Sequence, residues 1–573
     1  MSKPRIGVYV CQCGTNIAKM VDCEAVAKAA AALPGVVLAK TYKYMCSNPG
    51  QEMIVQDIKE HGLERVVVSA CSPRMHERTF RAALATAGLN PYFFEMANIR
   101  EQCSWVHDDP LAATEKATAL LRAAVLRVAQ HEPLEKMMVD MCPDVLVIGG
   151  GIAGLTAALD IATAGGKVTL VERTGALGGN LARIDLTAPY LTSARDLLVE
   201  RVSRVRSHPR IAVKLDSQVS KLSGFVGNYK AEIVSVPSNG GAPLEIAIGN
   251  VVVCTGYQEF DASRITHYGY GKLPNVITSF EFEGMLRAGR IQMADGRLPK
   301  NVCLVHCVGS RSPEFHSYCS RVCCMTALKY AHEVHSALPE ARVCDLYVDM
   351  HAFGKGHEDF YKKTSEVKTL FLMYKKGDRP VIRKAGPDDG VDMLIEVNEQ
   401  LSGETIEIPA DLVILMVGME AQRDSYEVSR LVNISQDKEG WFIESHPKLD
   451  PVATTTDGIY IAGTCAAPKD IPDTVAQAHA AAARILAKSA RGRIEVDAVF
   501  AEIDENKCSG CRMCNELCPY SAIEFDPVKK RSHVISAVCK ACGCCVAACP
   551  SGAIKGRHFT DAQIIAQIEG VLA

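Results

Sequence analysis

The sequence predicts an α/β protein made of several parallel-sheet lobes and a small cysteine-dense module. Three observations predict it. Short apolar runs alternate with helical runs through residues 1–130. A buried-type strand at residue 145 runs into Gly149-x-Gly151-x-x-Gly154. Two spaced cysteine runs follow residue 491. Strand–helix alternation implies parallel pairing, because each crossover returns the chain to the same end of the sheet.

In the first lobe, residues 6–10, 36–44, 65–70 and 92–96 read as strands. Residues 23–33, 50–61, 77–87 and 109–130 read as helices, and 131–143 as a linker of mixed charge. Residues 144–299 read as the first part of a dinucleotide-binding fold, 300–400 as a second α/β lobe, and 401–490 as the return to the first. Residues 491–573 form the cysteine-dense module, with a helical tail over 560–572.

Composition narrows the chemistry. Lys+Arg 63 against Asp+Glu 66 leaves a net charge of −3, so the chain has no basic field for nucleic acid. Among 573 residues there are 24 Cys but only 2 Trp. That is too many thiols for an ordinary cytosolic enzyme and too long a chain for a small disulfide scaffold, which leaves metal or redox chemistry. The N-terminus has no apolar stretch of the secretory kind, and the most apolar run, 145–159, is too short and Gly-rich to span a bilayer. A cytoplasmic location without a transmembrane segment is expected, where thiols stay reduced.

The C-terminal module carries Cys508-x2-Cys511-x2-Cys514-x3-Cys518-Pro519 and Cys539-x2-Cys542-x2-Cys545-x3-Cys549-Pro550. This is the two-cluster ferredoxin spacing, in which the fourth Cys of each run ligates the other cluster. Cys508, Cys511, Cys514 and Cys549 should hold one [4Fe-4S] cluster; Cys539, Cys542, Cys545 and Cys518 should hold the second. Cys544 is surplus.

The strand at 145–148, the three glycines and the helix after them form the dinucleotide fingerprint, with Glu172 ending the next strand, 168–171. Gly149 allows the tight turn, Gly151 admits the pyrophosphate, and Gly154 lets the helix approach the strand. Glu172 is placed to bind the ribose hydroxyls. Residues 251–256 (VVVCTG) and 457–463 (DGIYIAG) resemble later motifs of FAD domains. FAD is therefore the expected dinucleotide, with Gly179, Asn180, Thr255, Gly256, Gly463 and Thr464 as further contacts. Thr464 stands where flavoproteins usually carry Asp, which puts the ribityl contact in doubt.

The second lobe should bind NAD(P)H through another glycine loop, but its strand 302–306 leads into Cys307-Val308-Gly309-Ser310-Arg311. Two of the three glycines are missing. The stretch offers Cys307-x11-Cys319-x3-Cys323-Cys324 instead, a non-standard [4Fe-4S] site facing the flavin. Lys329, on the helix that follows, would stabilise a reduced, anionic flavin. In the first lobe, Cys11, Cys13, Cys46, Cys71 and Cys103 each follow a predicted strand. Carboxyl ends of parallel strands converge on one edge, where a further cluster is expected. Cys11 and Cys13 compete there for one place. Cys23 reads as structural.

These residues resemble the A-type subunit of heterodisulfide reductase over nearly the whole chain. The most specific marks are VYVCQCGTNIA (8–18), ACSPRMHERTFR (70–81), NIREQCSWVH (98–107) and the Cys307–Cys324 pattern. The resemblance implies a thioredoxin-reductase-like FAD core of two Rossmann-like lobes, with an N-terminal parallel α/β domain and a C-terminal 2[4Fe-4S] ferredoxin domain. It also implies four clusters in all, Lys329 near the flavin, an acid from the Glu281 region paired with it, and a homodimer. Disulfide-reducing subunits of B and C type would be partners, with a hydrogenase, dehydrogenase or ferredoxin as electron donor. Longer members insert a second ferredoxin module before the VVVCTG strand. Here 224–250 is a short β-like stretch without Cys, so one electron branch is missing from the chain. The leading expectation is an oxidoreductase subunit that moves flavin electron pairs singly onto clusters, in the fullest version by bifurcation between ferredoxin and a disulfide. The rivals are an NAD(P)H- or thiol-dependent flavin oxidoreductase and a non-bifurcating cluster relay.

Overall fold

A computed structural model describes residues 3–236 and 242–573. The chain divides into two compact units, Met1–Met138 with Glu495–Ala573, and Val139–Ile494. Both chain ends thus belong to one unit, where the sequence suggests two separate domains.

In the first unit, β1 (Ile6–Cys11), β2 (Val36–Tyr42), β3 (Arg65–Ala70) and β4 (Phe94–Asn98) form a parallel sheet in the order β2-β1-β3-β4. β1 is buried at every position, as a central strand covered on both faces must be. β4 begins two residues later than its apolar run, because Asn90 captures the Tyr92 and Phe93 amides in a turn. The crossovers are α1 (Cys23–Ala31), α2 (Asn48–His61) and α3 (Pro73–Thr86), and α4 (Pro110–Val128) follows β4. Asp22, Ser47 and Asp109 cap the amides that open α1, α2 and α4.

The cysteine-dense module folds as a pseudo-repeat. Strands Ala501–Ile503 and Ile554–Gly556 pair antiparallel, as do Ile523–Asp526 and Arg531–Val534. Two one-turn helices, Met513–Leu517 and Cys544–Ala548, follow left-handed residues at Arg512 and Gly543. The tail Asp561–Leu572 is a helix opened by a Thr560/Gln563 capping box. It packs on α4 closely enough that a Cβ at Gly570 would stand 2.5 Å from the Ala123 Cα.

The second unit holds two parallel five-stranded sheets. The first runs Ile211–Lys214, Val168–Val171, Val145–Ile148, Asn250–Val253, Ile459–Ile461. The second runs Val276–Thr278, Leu412–Val417, Asn301–Val308, Arg342–Tyr347, Thr369–Met373. This second lobe is wider than the expected 300–400, since strands on both sides of those limits complete its sheet. A three-stranded antiparallel sheet accompanies each: Ser217–Phe225 with Asn228–Ser235 and Leu244–Ile248, and Val381–Lys384 with Met393–Asn398 and Thr405–Ala410. The β-like reading of 224–250 holds for its described part, while residues 237–241 lie outside the described residues.

Candidate flavin and iron–sulfur sites

The glycine turn of the first lobe is sterically determined. A Cβ on Gly149 (φ +108°) would meet the Cys254 carbonyl oxygen at 2.3 Å. One on Gly154 would stand 1.9 Å from the Gly149 carbonyl oxygen. Gly151 has no atom within 4 Å on its Cβ side, so that face is open toward a ligand. Glu172 is buried, accepting from the Gly150 amide at 2.7 Å and from the Thr174 amide at 2.9 Å. A cavity of about 1560 Å³ lies against this turn; its lining includes Gly151, Glu172, Gly179, Asn180, Thr255 and Thr464. That is larger than the ~300–1,000 Å³ of common small-molecule sites. The Thr255 hydroxyl is buried there without a hydrogen-bond partner, as expected for a group that serves a ligand. Asn180 donates to the Tyr257 carbonyl at 3.2 Å. Gly463 (φ +85°) turns the chain where a Cβ would press on Ala153 at 2.9 Å, and Thr464 Oγ1 lies 3.9 Å from a Cβ built on Gly256. An open glycine cradle, a buried acid and an orphaned hydroxyl fit FAD.

The opposite wall comes from the second lobe. Strand Asn301–Val308 ends at Cys307, which takes a left-handed φ of +57°. The helix Cys323–Ala337 begins with the Cys323–Cys324 pair. Burial pushes the Cys323 thiol well up, and Cys307, Cys324 and Cys319 add to the shift, so the four thiols converge. For Cys307 burial again dominates, followed by Cys324, and raises the thiol to about 12. A raised pKa keeps a buried thiol protonated, and a bound metal would take it as the thiolate. Their surroundings supply donors: Arg321 N–H reaches Cys319 Sγ at 3.2 Å and His351 N–H reaches Cys324 Sγ at 3.4 Å. His306, fully buried, stands 2.6 Å from Asp345. Burial disfavours its charge, but Asp345 overrides this, with Cys324 also contributing, and raises it to about 10. Hydrogen bonds to ligand sulfurs tune cluster potentials.

Cys323 and Lys329, on one helix, line the same cavity as Gly151. Lys329 pairs with Glu283, each 2% exposed, and donates to the Leu186 carbonyl at 3.0 Å. Glu283 also accepts from Tyr330 Oη at 2.9 Å and from the Asp185 amide at 2.8 Å. The acid beside Lys329 is therefore not Glu281. Glu281 sits at the third position of the helix Ser279–Arg287 and closes a capping box, accepting from the Thr278 amide at 2.7 Å. Two residues along a helix is about 200°, so Glu281 and Glu283 face different ways. The signal was present in the sequence: T-x-x-E marks Glu281 as a cap.

In the first unit, Cys11, Cys13, Cys46 and Cys71 come together at the carboxyl edge of the sheet. Burial raises Cys11, the Met45 and Cys13 backbone opposes, and Cys13 and Cys46 then raise it further. Burial lifts Cys71 to about 11, with Arg100 opposing and Glu101, Cys13 and Cys11 adding. Met45 N–H reaches Cys11 Sγ at 3.4 Å, and Arg100 Nη1 reaches Cys13 Sγ at 3.6 Å. Cys11 and Cys13 both stand at this edge, near Cys46 and Cys71. Cys103 is different. It sits fully buried in a π-helical turn, packed with Ile99, Ala113 and Ala117, and the charge acting on it is Lys116.

In the C-terminal module, burial raises Cys545 to about 11, with Cys539, Cys518 and Cys542 adding. Cys518 thus joins the second run across the pseudo-repeat. Cys514 feels Cys508 and Cys511 after burial and its hydrogen bonds. Backbone amides of Ala501 and Ala522 reach Cys539 Sγ at 3.3 Å and Cys518 Sγ at 3.2 Å. Cys549 lies 3.6 Å from the Ser551 hydroxyl, and Cys544 is exposed.

Comparison with known proteins finds flavin and iron–sulfur families. The FAD dependent oxidoreductase family matches residues 144–209, and the 4Fe-4S dicluster domain matches residues 500–550. The A-type subunit of the H(2):CoB-CoM heterodisulfide,ferredoxin reductase of Methanothermobacter thermautotrophicus is 40% identical over 652 positions, covering 100% of this chain and 98% of that protein. The A-type iron-sulfur subunit of the CoB--CoM heterodisulfide reductase of Methanocaldococcus jannaschii is 38% identical over 653 positions, covering 99% and 98%.

The chain belongs to the family of A-type heterodisulfide reductase subunits.

As a member it is an oxidoreductase subunit whose cofactors are FAD and [4Fe-4S] clusters. The 652 aligned positions exceed the 573 residues of this chain, so 79 positions of the Methanothermobacter alignment have no counterpart here. Among solved structures, the thioredoxin reductase of T. acidophilum aligns at 16% identity over 61% of this chain and 99% of that one, with a TM-score of 0.41. No helix among the described residues is long and apolar enough to cross a membrane.

Proposed function

We propose that the chain is the electron-splitting hub of a heterodisulfide-reductase-type complex, with one FAD and four [4Fe-4S] clusters. The clusters would sit on Cys508/Cys511/Cys514/Cys549, Cys539/Cys542/Cys545/Cys518, Cys307/Cys319/Cys323/Cys324 and Cys11/Cys13/Cys46/Cys71. One observation carries the reading: the helix Cys323–Ala337 presents both Cys323 and Lys329 to the cavity that holds the glycine cradle. Bound FAD can take electrons as a pair and pass them on singly. Gly151 and Glu172 would seat the dinucleotide, and Lys329 would favour its negatively charged reduced form. Glu283 neutralises that lysine when the site is oxidised, which keeps a buried cation tolerable.

The fuller proposal follows relatives named for both a heterodisulfide and ferredoxin. In it, one electron goes to ferredoxin and the other, through B- and C-type subunits, to a disulfide. The chain itself would supply only the flavin and the wire, as a cytoplasmic homodimer fed by a hydrogenase, dehydrogenase or ferredoxin. The 79 absent positions favour a second reading, a hub with one branch provided by another protein or missing. Anaerobic analysis of the purified chain should give about sixteen iron atoms and one FAD. Photoreduction followed by EPR should then show flavin and clusters changing redox state together. A flavin that stays oxidised while the clusters reduce would sink the hub and leave a simple relay.

A further inference from the structure

The first unit contains a buried cluster of side chains that the electron pathway does not use. Glu95 on β4, His131 beyond α4 and His558 ahead of the C-terminal helix bring one ligand atom each within 4.8 Å of one another. His131 is 2% exposed and His558 7%. The His131 Nδ1–H donates to the Tyr92 carbonyl at 3.1 Å, so the neutral ring carries its lone pair on Nε2. That lone pair faces the Glu95 carboxylate across 3.4 Å, and Nε2 has no hydrogen-bond partner. The His558 Nδ1 is likewise buried and unpartnered.

Two acceptors facing each other at this distance need a cation between them. A single proton could bridge His131 and Glu95, but it would leave unserved the His558 ring nitrogen that stands within 4.8 Å of both. The remaining candidate is a metal. Ligands about 2.0–2.1 Å from a tetrahedral zinc stand roughly 3.3–3.4 Å apart, which matches the 3.4 Å between His131 Nε2 and Glu95, and the His558 ligand atom stands within 4.8 Å of both. The Tyr92 carbonyl already supplies the outer partner that orients a metal-bound histidine. We infer that Glu95, His131 and His558 form a divalent-metal site of the zinc class, which fastens the C-terminal module to the N-terminal lobe.

Arg127 fits the arrangement. It donates to Glu95 Oε1 at 2.9 Å and to the His558 carbonyl at 3.0 Å, leaving Glu95 Oε2 toward the imidazoles. Its charge opposes a dication and lowers the affinity below that of a lone carboxylate site. No path to solvent is needed, because the role is structural.

The test uses the full chain, purified anaerobically with its flavin and clusters, stripped with a chelator and dialysed against Zn2+ alone. About one zinc per chain should bind, and the zinc-edge X-ray absorption should show a sulfur-free shell with two imidazoles. His558→Gln, His131→Gln and Glu95→Gln should each reduce bound zinc at least about tenfold. Zinc-stripped wild type should also be cut sooner by protease near residue 495 than the zinc-loaded chain. Absence of zinc, a shell containing sulfur, or full binding in His558→Gln would overturn the site. Should the variants fail to fold, the wild-type absorption spectrum alone decides between metal and none.

Discussion

Lys329 and Glu283 meet as a buried ion pair in the wall of the glycine-cradle cavity, each only 2% exposed. A pair so far from water is held by its extra partners: Tyr330 Oη and the Asp185 amide complete Glu283, and the Leu186 carbonyl completes Lys329. Removing either charge leaves the other uncompensated. The two removals should therefore act on the flavin in opposite directions.

Lys329→Ala should lower the flavin midpoint potential and Glu283→Gln should raise it. Each shift is expected on the order of 59 mV, a tenfold change in a one-electron equilibrium. Spectroelectrochemistry measures both. Glu281→Gln, which alters only the helix cap, should leave the potential where it is. Equal and parallel shifts in all three variants would argue for a general loosening of the site instead.

Gly151→Ala should leave the fold intact yet lose FAD. Its Cβ would meet no protein atom within 4 Å, so the cost is that of a weaker helix N-cap, about 1 kcal/mol. FAD affinity should fall at least about tenfold, since the methyl group occupies the pyrophosphate's approach. Gly154→Ala places its Cβ 1.9 Å from a backbone oxygen and should damage fold and binding together. Flavin retention on gel filtration, with circular dichroism, separates the two.

Cys71→Ser and Cys103→Ser should differ in iron content. The first removes a thiol from the converging four and should cost about four iron atoms per chain. The second buries a hydroxyl in an apolar pocket and should cost ~1–3 kcal/mol of stability with the iron unchanged. Loss of iron in Cys103→Ser would restore that residue as a ligand.

Glu333, one turn beyond Lys329, gives the second unit a pH dependence. Burial, then Asp185 and Glu283, raise its pKa to about 7 against the opposing pull of Lys329. The folded state therefore binds its proton more tightly than the unfolded state, and stability falls as pH rises from about 4.5 to 7. The full effect is up to about 3 kcal/mol. Glu333→Gln should remove this slope in denaturant titrations across that range, and a slope unchanged by the substitution would refute the assignment.

Gly570→Ala should loosen the C-terminal helix from α4, because its Cβ would stand 2.5 Å from backbone that cannot yield. Hydrogen exchange in residues 561–572 should rise while cavity-lining segments of the second unit stay protected.

Where chemistry is written in short spacing, the sequence was readable. The helix-opening glycines lie within two turns of each other, and each ferredoxin run sets three of its cluster's four cysteines within seven residues, so little depends on distant contacts. The same holds for the Cys323–Cys324 pair and Lys329, which share one helix. Reading failed where a choice depended on which way a side chain faces or what packs behind it. Glu281 and Glu283 are equally acidic in sequence, and only the turn of the helix separates cap from partner. Cys103 follows a strand like Cys46 and Cys71, but only the folded chain shows that it lies in a π-helical turn among apolar side chains.

Residues close along the chain settle the parallel α/β class, the FAD fingerprint, the doubled ferredoxin motif and the replacement of a nicotinamide loop by cysteines. In each case backbone geometry over a few turns fixes the spacing, so the amino-acid order is enough. Three other outcomes needed the folded molecule. The two chain ends form one unit, Glu283 is the acid beside Lys329, and Cys11, Cys13, Cys46 and Cys71 are the thiols that converge. These turn on contacts between residues tens to hundreds of positions apart, which packing selects and local pattern does not encode.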